Sequence, residues 1–160
     1  MVYLPKSEFE AKTLSAQDIQ KIRSVADYQF GKGVGAKFFS DDVRIVYSRN
    51  TGKIRHIYLG DDLLVTLRPT TGMFILTIAG AKHMISKVNP APLWVRVEDF
   101  AEQFIAKGRS VFAKHVTDAD QNIRPREEVI VIDKNNQVLG VGWALLNLSL
   151  IHISEPTRPY

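Results

Sequence analysis

The chain has 160 residues, 45% hydrophobic and 24% charged, the mixture of an ordinary globular protein rather than a disordered or fibrous one. It contains no cysteine, which excludes disulfides, thiolate zinc sites and thiol catalysis. The net charge of +4 is unevenly spread: residues 1–90 hold 13 Lys/Arg against 8 Asp/Glu, whereas residues 91–147 hold 7 against 8. A surface for an anionic partner is therefore expected in the first half. No apolar run approaches the roughly 18 residues of a membrane helix. The opening Met-Val-Tyr-Leu-Pro-Lys lacks the basic and apolar regions of a signal peptide, so the cytoplasm is the expected compartment and no membrane partner is expected.

Residues 1–14 are polar and weakly periodic, a loose lead-in. Ser15 followed by Asp18 resembles a capping box, and Ile19, Ile22, Ala26 and Phe30 recur at helical spacing, predicting a helix from Ala16 to Phe30 that Gly31 ends. The run Gly31-Lys32-Gly33-Val34-Gly35 follows a helix rather than a strand and contains no Gly-Lys-Ser/Thr. It predicts a helix-ending loop, not a phosphate-binding one. Alternation in Val43–Ser48 predicts a strand, and turn residues then separate strands at Ile54–Leu59, Leu63–Leu67 and Met73–Leu76. An apolar helix over Ile78–Val88 is broken by Asn89-Pro90-Ala91-Pro92, where a domain boundary is placed.

The second half opens on a short strand, Trp94–Val97. A helix from Phe100 to Ala106 follows, capped by Asp99 and stopped by Gly108. Strands at Ser110–Val116, Val129–Ile132 and Val138–Leu145 are separated by turns at Asp118–Asp120 and Lys134–Gln137. The predicted fold is α+β: an α/β meander domain over residues 15–90, then a small β-barrel over 91–147.

Val95 to Leu145 resembles a PUA domain, most specifically in Gly108-Arg109-Ser110-Val111-Phe112-Ala113-Lys114 and, further on, Ile123-Arg124-Pro125 with Glu128-Val129-Ile130-Val131. Ala26-Asp27-Tyr28-Gln29-Phe30-Gly31-Lys32-Gly33, with Gly52-Lys53-Ile54-Arg55 and Ile78-Ala79-Gly80-Ala81, resembles the domain that precedes the PUA unit in archaeal tRNA-guanine transglycosylases of archaeosine synthesis. The catalytic barrel of those enzymes, with its acid nucleophile and zinc-binding cysteines, has no counterpart in this sequence. The resemblance thus implies an RNA-binding module without catalytic activity or cofactor, docking on a tRNA acceptor stem and accessory to tRNA modification. A separate catalytic subunit is an implied partner. Two other readings stand beside it: a C-terminal fragment of a full transglycosylase-type enzyme, and a protein-interaction adaptor.

By the same resemblance the PUA contact surface comprises Lys107, Gly108, Arg109, Ser110, Lys114 and His115. In the first half, Arg44, Arg49, Lys53 and Arg55 cluster in sequence around a hairpin turn, a phosphate-tracking edge or a solvated turn. Asp41-Asp42 and Asp61-Asp62 lie in turns without a His partner at useful spacing, and His56, His83 and His115 are too scattered for a metal site.

The sequence departs from the family at two places. Arg126 stands where relatives usually carry Gly, in a turn that would strain any residue with a Cβ, so a shifted turn is expected. Residues 148–158, Leu-Ser-Leu-Ile-His-Ile-Ser-Glu-Pro-Thr-Arg, resemble the translated read-through of a sequencing-library adapter. On that basis residues 148–160 are set aside as a foreign tail and the barrel is C-terminally truncated. An unpaired sheet edge and lowered stability are then expected.

Overall fold

The computed structural model describes residues 16–101, 103, 105, 107, 111–112, 115–145 and 150–156, so the lead-in expected at 1–14 lies outside the described residues. The chain forms two compact units that divide between Ile75 and Leu76.

The first unit begins with α1, Ala16–Phe30, whose Ile22, Ala26 and Phe30 recur every four residues and are buried along one stripe. After Gly31 and Gly33, both at positive φ, comes α2, Val34–Phe38, where the sequence pattern predicts only a loop. Five residues are too few for helical periodicity to register in a sequence. What holds α2 is contact with α1. A Cβ built on Gly35 would lie 2.2 Å from the carbonyl oxygen of Arg23, so only glycine lets the two backbones meet. The Gly35 amide donates to Asp27 Oδ1 at 2.7 Å. Arg23 Nε donates to the Phe39 carbonyl at 2.8 Å, and its guanidinium pairs with Asp41 at 3.0 Å.

The sheet of this unit is a meander in the order β1-β2-β3-β4, built from Arg44–Tyr47, Ile54–Leu59, Asp62–Leu67 and Phe74–Leu76. Its inner face contributes Ile45, Ile57, Leu64, Val65 and Phe74, all buried. Phe30, Phe38, Phe39 and Phe74 form one aromatic cluster with ring centroids 4.6 to 6.3 Å apart. Gln29 ties helix to sheet: its amide nitrogen donates to the Phe74 carbonyl at 2.8 Å and its amide oxygen accepts from the Phe74 N–H at 2.7 Å. The side chain thereby copies the pairing a neighbouring strand would give.

In the second unit α3, Ile78–Lys87, is capped by Thr77, whose hydroxyl accepts from the Gly80 N–H at 2.9 Å. Its buried Gly80, Ala81 and Met84 face inward, and the helix packs against the strand Val138–Leu145, which places it in this unit rather than the first. A six-stranded sheet follows in the order β6-β10-β9-β8-β5-β7. Its strands are β5 Trp94–Val97, β6 Val111–Phe112, β7 Val116–Ala119, β8 Glu128–Ile132, β9 Val138–Leu145 and β10 Leu150–Pro156. β5 and β8 are parallel; the other pairs are antiparallel. Asp133, buried in the turn between β8 and β9, accepts from the Asn135 and Gln137 amides at 2.8 and 2.9 Å.

Five local expectations change. Asp99–Ala101 is a 3-10 turn at the start of the expected helix. The strand expected over Ser110–Val116 is divided into β6 and β7. Of the turn expected at Asp118–Asp120, Asp118 and Ala119 instead complete β7, because they pair with Arg96 and Val95. The expected unpaired edge is filled: β10 pairs with β9 from Leu150↔Leu145 to Pro156↔Gly140 and also pairs with β6. Strand pairing asks only for main-chain donors and acceptors. Arg126 keeps the left-handed turn at φ 70° instead of shifting it, with its N–H donating to the Ala144 carbonyl at 2.6 Å.

Two substitutions test these constraints by urea unfolding. Gly35→Ala is expected to lower stability by about 1–3 kcal/mol, because backbone faces the new methyl. Arg126→Gly is expected to raise it by about 0.5–1 kcal/mol, the relieved left-handed strain less the extra freedom of glycine in the unfolded chain.

Candidate nucleic-acid interface

A cleft of about 970 Å³ opens in the first unit between α1 and the turns β1–β2 and β3–β4. The two turns are built alike. Ser48 N–H donates to the Lys53 carbonyl at 2.7 Å and Gly52 N–H to the Ser48 carbonyl at 2.8 Å. In the second turn Arg68 N–H donates to Met73 at 2.8 Å and Gly72 N–H to Arg68 at 2.8 Å. Thr51 and Thr71 each accept, through the side-chain hydroxyl, the amide two residues on, both at 3.2 Å. Gly52 and Gly72 both stand at φ 72°, where a side chain would be strained. The sequence shows this likeness as two Thr-Gly pairs, Thr51-Gly52 and Thr71-Gly72.

The cleft wall mixes apolar groups from Ile22, Val25, Ile54, Leu67 and Pro69 with four cations, Lys21, Lys53, Arg55 and Arg68. Tyr47 and Asp18 also line it, the Tyr47 hydroxyl donating to Asp18 Oδ2. Partial burial, this hydrogen bond and the carboxylate charge push the Tyr47 phenol up to about 12, so it stays protonated and holds Asp18.

The cations of this unit fall into two groups. Arg23 is bonded to Asp41 and the Phe39 carbonyl. Arg44 lies directly across from Tyr58 in the β1–β2 register, its guanidinium 4.4 Å from the ring centroid. Lys21, Lys53, Arg55 and Arg68, by contrast, form no ion pair with a carboxylate among the described residues. Of the four cations that the sequence groups at the hairpin, Lys53 and Arg55 line the cleft and Arg49 is exposed on its turn. Arg44 belongs to the strand and its aromatic partner. Lys21 and Arg68 are additions that proximity in sequence misses; the repeated Thr-Gly turn is the signal that points to Arg68.

In the second unit Lys107 is exposed, and His115 is half-buried with Nδ1 3.7 Å from Glu98 Oε2. Gly108, Arg109, Ser110 and Lys114 lie outside the described residues. Arg96 is held by Asp118 at 3.7 Å, by Asn136 Oδ1 at 2.5 Å and against the Trp94 ring at 5.0 Å. Among the described residues no three His, Cys, Asp or Glu are grouped to hold a metal ion, and no helix is long and apolar enough to cross a membrane.

Comparison with known proteins divides the chain near residue 93, at the Asn89–Pro92 break in the sequence pattern rather than between Ile75 and Leu76. Residues 20–92 match the patch-forming domain C2 of tRNA-guanine transglycosylase, and residues 94–151 match the PUA domain. The chain is 44% identical over 146 residues to the tRNA-guanine(15) transglycosylase of Methanothermobacter thermautotrophicus, which covers 91% of this chain but 22% of that enzyme. It thus spans about a fifth of the length of the curated relatives it matches. Among solved structures, a hypothetical protein of Pyrococcus horikoshii superposes with a TM-score of 0.71 at 19% identity, covering 91% of this chain and 93% of that one. A conserved PUA domain protein of Thermoplasma acidophilum does so with a TM-score of 0.63 at 16% identity, covering 91% and 93%. These last two likenesses concern the fold.

The Tyr47 phenol gives the first unit a spectroscopic marker. Its folded value of about 12 lies above the usual 10, so its contribution to stability is complete below pH 10 and is lost as pH rises from 10 to 12. Phenolate absorbance followed with pH is expected to show a late step near 12, in step with unfolding. Tyr47→Phe is expected to abolish that late step.

Proposed function

We propose that this chain, which joins the patch-forming C2 domain of tRNA-guanine transglycosylase to a PUA domain, holds structured RNA for a modification reaction carried out elsewhere. The observation that carries this reading is the set of cations at one cleft with no carboxylate partner among the described residues, in a unit matched to a transglycosylase domain. Cations that stabilise a fold are paired, as Arg23 and Arg96 are. Cations left unpaired around a concave surface suit phosphates, which supply most of the affinity in RNA binding.

The RNA is a tRNA, held at the acceptor stem by Lys107, Gly108, Arg109, Ser110, Lys114 and His115, with Arg49, Lys53 and Arg55 tracking phosphates from the first unit. Shape and phosphate contacts suit helical RNA, whose deep major groove hides its base edges. The chemistry is archaeosine-type base exchange on a transglycosylase catalytic barrel, in the same polypeptide or in a separate subunit, and the compartment is the cytoplasm. This chain supplies docking and no reacting group.

A titration of the chain against a tRNA transcript, with and without its single-stranded 3′ end, at two salt concentrations tests this. Binding is expected to weaken with salt and to fall when the 3′ end is removed. The double substitution Lys53→Ala/Arg55→Ala is expected to reduce the log–log salt slope by about 2, roughly one per lost phosphate contact. Absence of binding at low salt would transfer the assignment to a protein-interaction adaptor.

A further inference from the structure

Tyr28 is the large hydrophobic side chain that the described fold leaves in water, 82% exposed. Its neighbours explain why it points outward. Asp27 is committed to the Gly35 amide and Gln29 to both main-chain groups of Phe74, so the helix is pinned on either side of position 28. The fold therefore uses Asp27 and Gln29 and leaves Tyr28 unused.

The position of Tyr28 on α1 connects it to the cleft. Lys21, Val25 and Tyr28 are spaced i, i+4, i+7 and share one stripe of the helix. Lys21 and Val25 line the cleft, and Tyr28 stands one turn further along the same stripe. The combination is an exposed ring, an apolar wall, cations without carboxylate partners among the described residues, and a volume within the range of about 300–1,000 Å³ of ligand sites. Duplex RNA presents phosphates but no free base face. An aromatic platform beside a cationic groove fits unpaired nucleotides, whose bases stack while their phosphates meet the cations.

We infer that the cleft between α1 and the two Thr-Gly turns, extended by the ring of Tyr28, is a binding site for a short single-stranded RNA segment. One base stacks on Tyr28, and the phosphates on either side run over Lys21, Lys53, Arg55 and Arg68. The inference rests on the RNA-binding reading above and adds a second class of contact to it, with unpaired rather than helical RNA. Asp18 is the one carboxylate among the described lining residues, held by the Tyr47 hydroxyl, against the four cations.

The test uses the whole chain with two labelled probes, an oligouridine and a blunt-ended RNA duplex, and the variants Tyr28→Ala, Tyr28→Phe and Arg68→Glu. Tyr28→Ala is expected to weaken oligouridine binding about tenfold or more, the loss of one base–aromatic stack, while Tyr28→Phe keeps it. Arg68→Glu is expected to weaken it and flatten its salt dependence. Duplex binding is expected to be unchanged by Tyr28→Ala, and the thermal unfolding of that variant to match the parent because the ring is exposed. Duplex binding without oligouridine binding, or oligouridine binding indifferent to Tyr28→Ala, would overturn this inference and leave the RNA-docking assignment standing. Loss of both probes in the parent chain would overturn both. Self-association in the absence of RNA that disappears in Tyr28→Ala, with oligouridine binding unchanged, would assign the ring to a second copy of the chain instead.

Discussion

The first unit depends on one close approach, the meeting of α1 and α2 at Gly35. Nothing larger than hydrogen fits between the Gly35 Cα and the carbonyl of Arg23. That contact brings the Gly35 amide within reach of the Asp27 carboxylate and carries Phe38 and Phe39 into the core beside Phe30 and Phe74. Gln29 then fixes the helix to strand β4 through both of its amide atoms. Each bond is worth only about 0.5–1.5 kcal/mol net, but they share one short stretch of helix, so its rotation about its own axis is set. That rotation decides which side chains of α1 face the core, the cleft and the solvent.

Charge in this unit is divided by use. Where a cation serves the fold it has a partner, either a carboxylate with a main-chain carbonyl for Arg23 or an aromatic face for Arg44. Where four cations converge on the cleft, none forms an ion pair among the described residues, and Asp18, which lines the cleft with them, is held by the Tyr47 hydroxyl. Mutual repulsion among them is mild at a solvated surface, since like charges are screened within about 10 Å at ordinary salt. The arrangement costs the folded state little.

The second unit relies on the main chain more than on particular side chains. β10 joins the sheet through backbone pairing with β9 and β6, although its Ser-Glu-Pro end has little preference for a strand. Arg126 adopts a left-handed conformation because its N–H and the neighbouring Glu127 carbonyl are both engaged with Ala144 on β9. In both places the ladder of hydrogen bonds outweighs a local preference, as expected where an unpaired buried amide costs about 1–3 kcal/mol.

Periodicity and turn chemistry by themselves determined α1, the four-strand meander, α3 and strands β5, β8 and β9, because each repeats its apolar spacing long enough to be recognised and is bounded by Gly, Pro or Asn/Asp. Composition likewise located the basic surplus in the first half. The tertiary structure alone decided the rest. α2 is too short to carry a period and exists because Gly35 permits a backbone contact. The division of Ser110–Val116 between two strands and the pairing of β10 follow from which backbone edge each segment meets. The cleft gathers Lys21 from a helix with Lys53 and Arg68 from two turns and Arg55 from the start of β2, while Arg44, near them in sequence, is turned to Tyr58. Local sequence sets which faces exist, but only packing sets which faces meet, because contacts between residues dozens of positions apart depend on the rotation and register of whole elements rather than on neighbours along the chain.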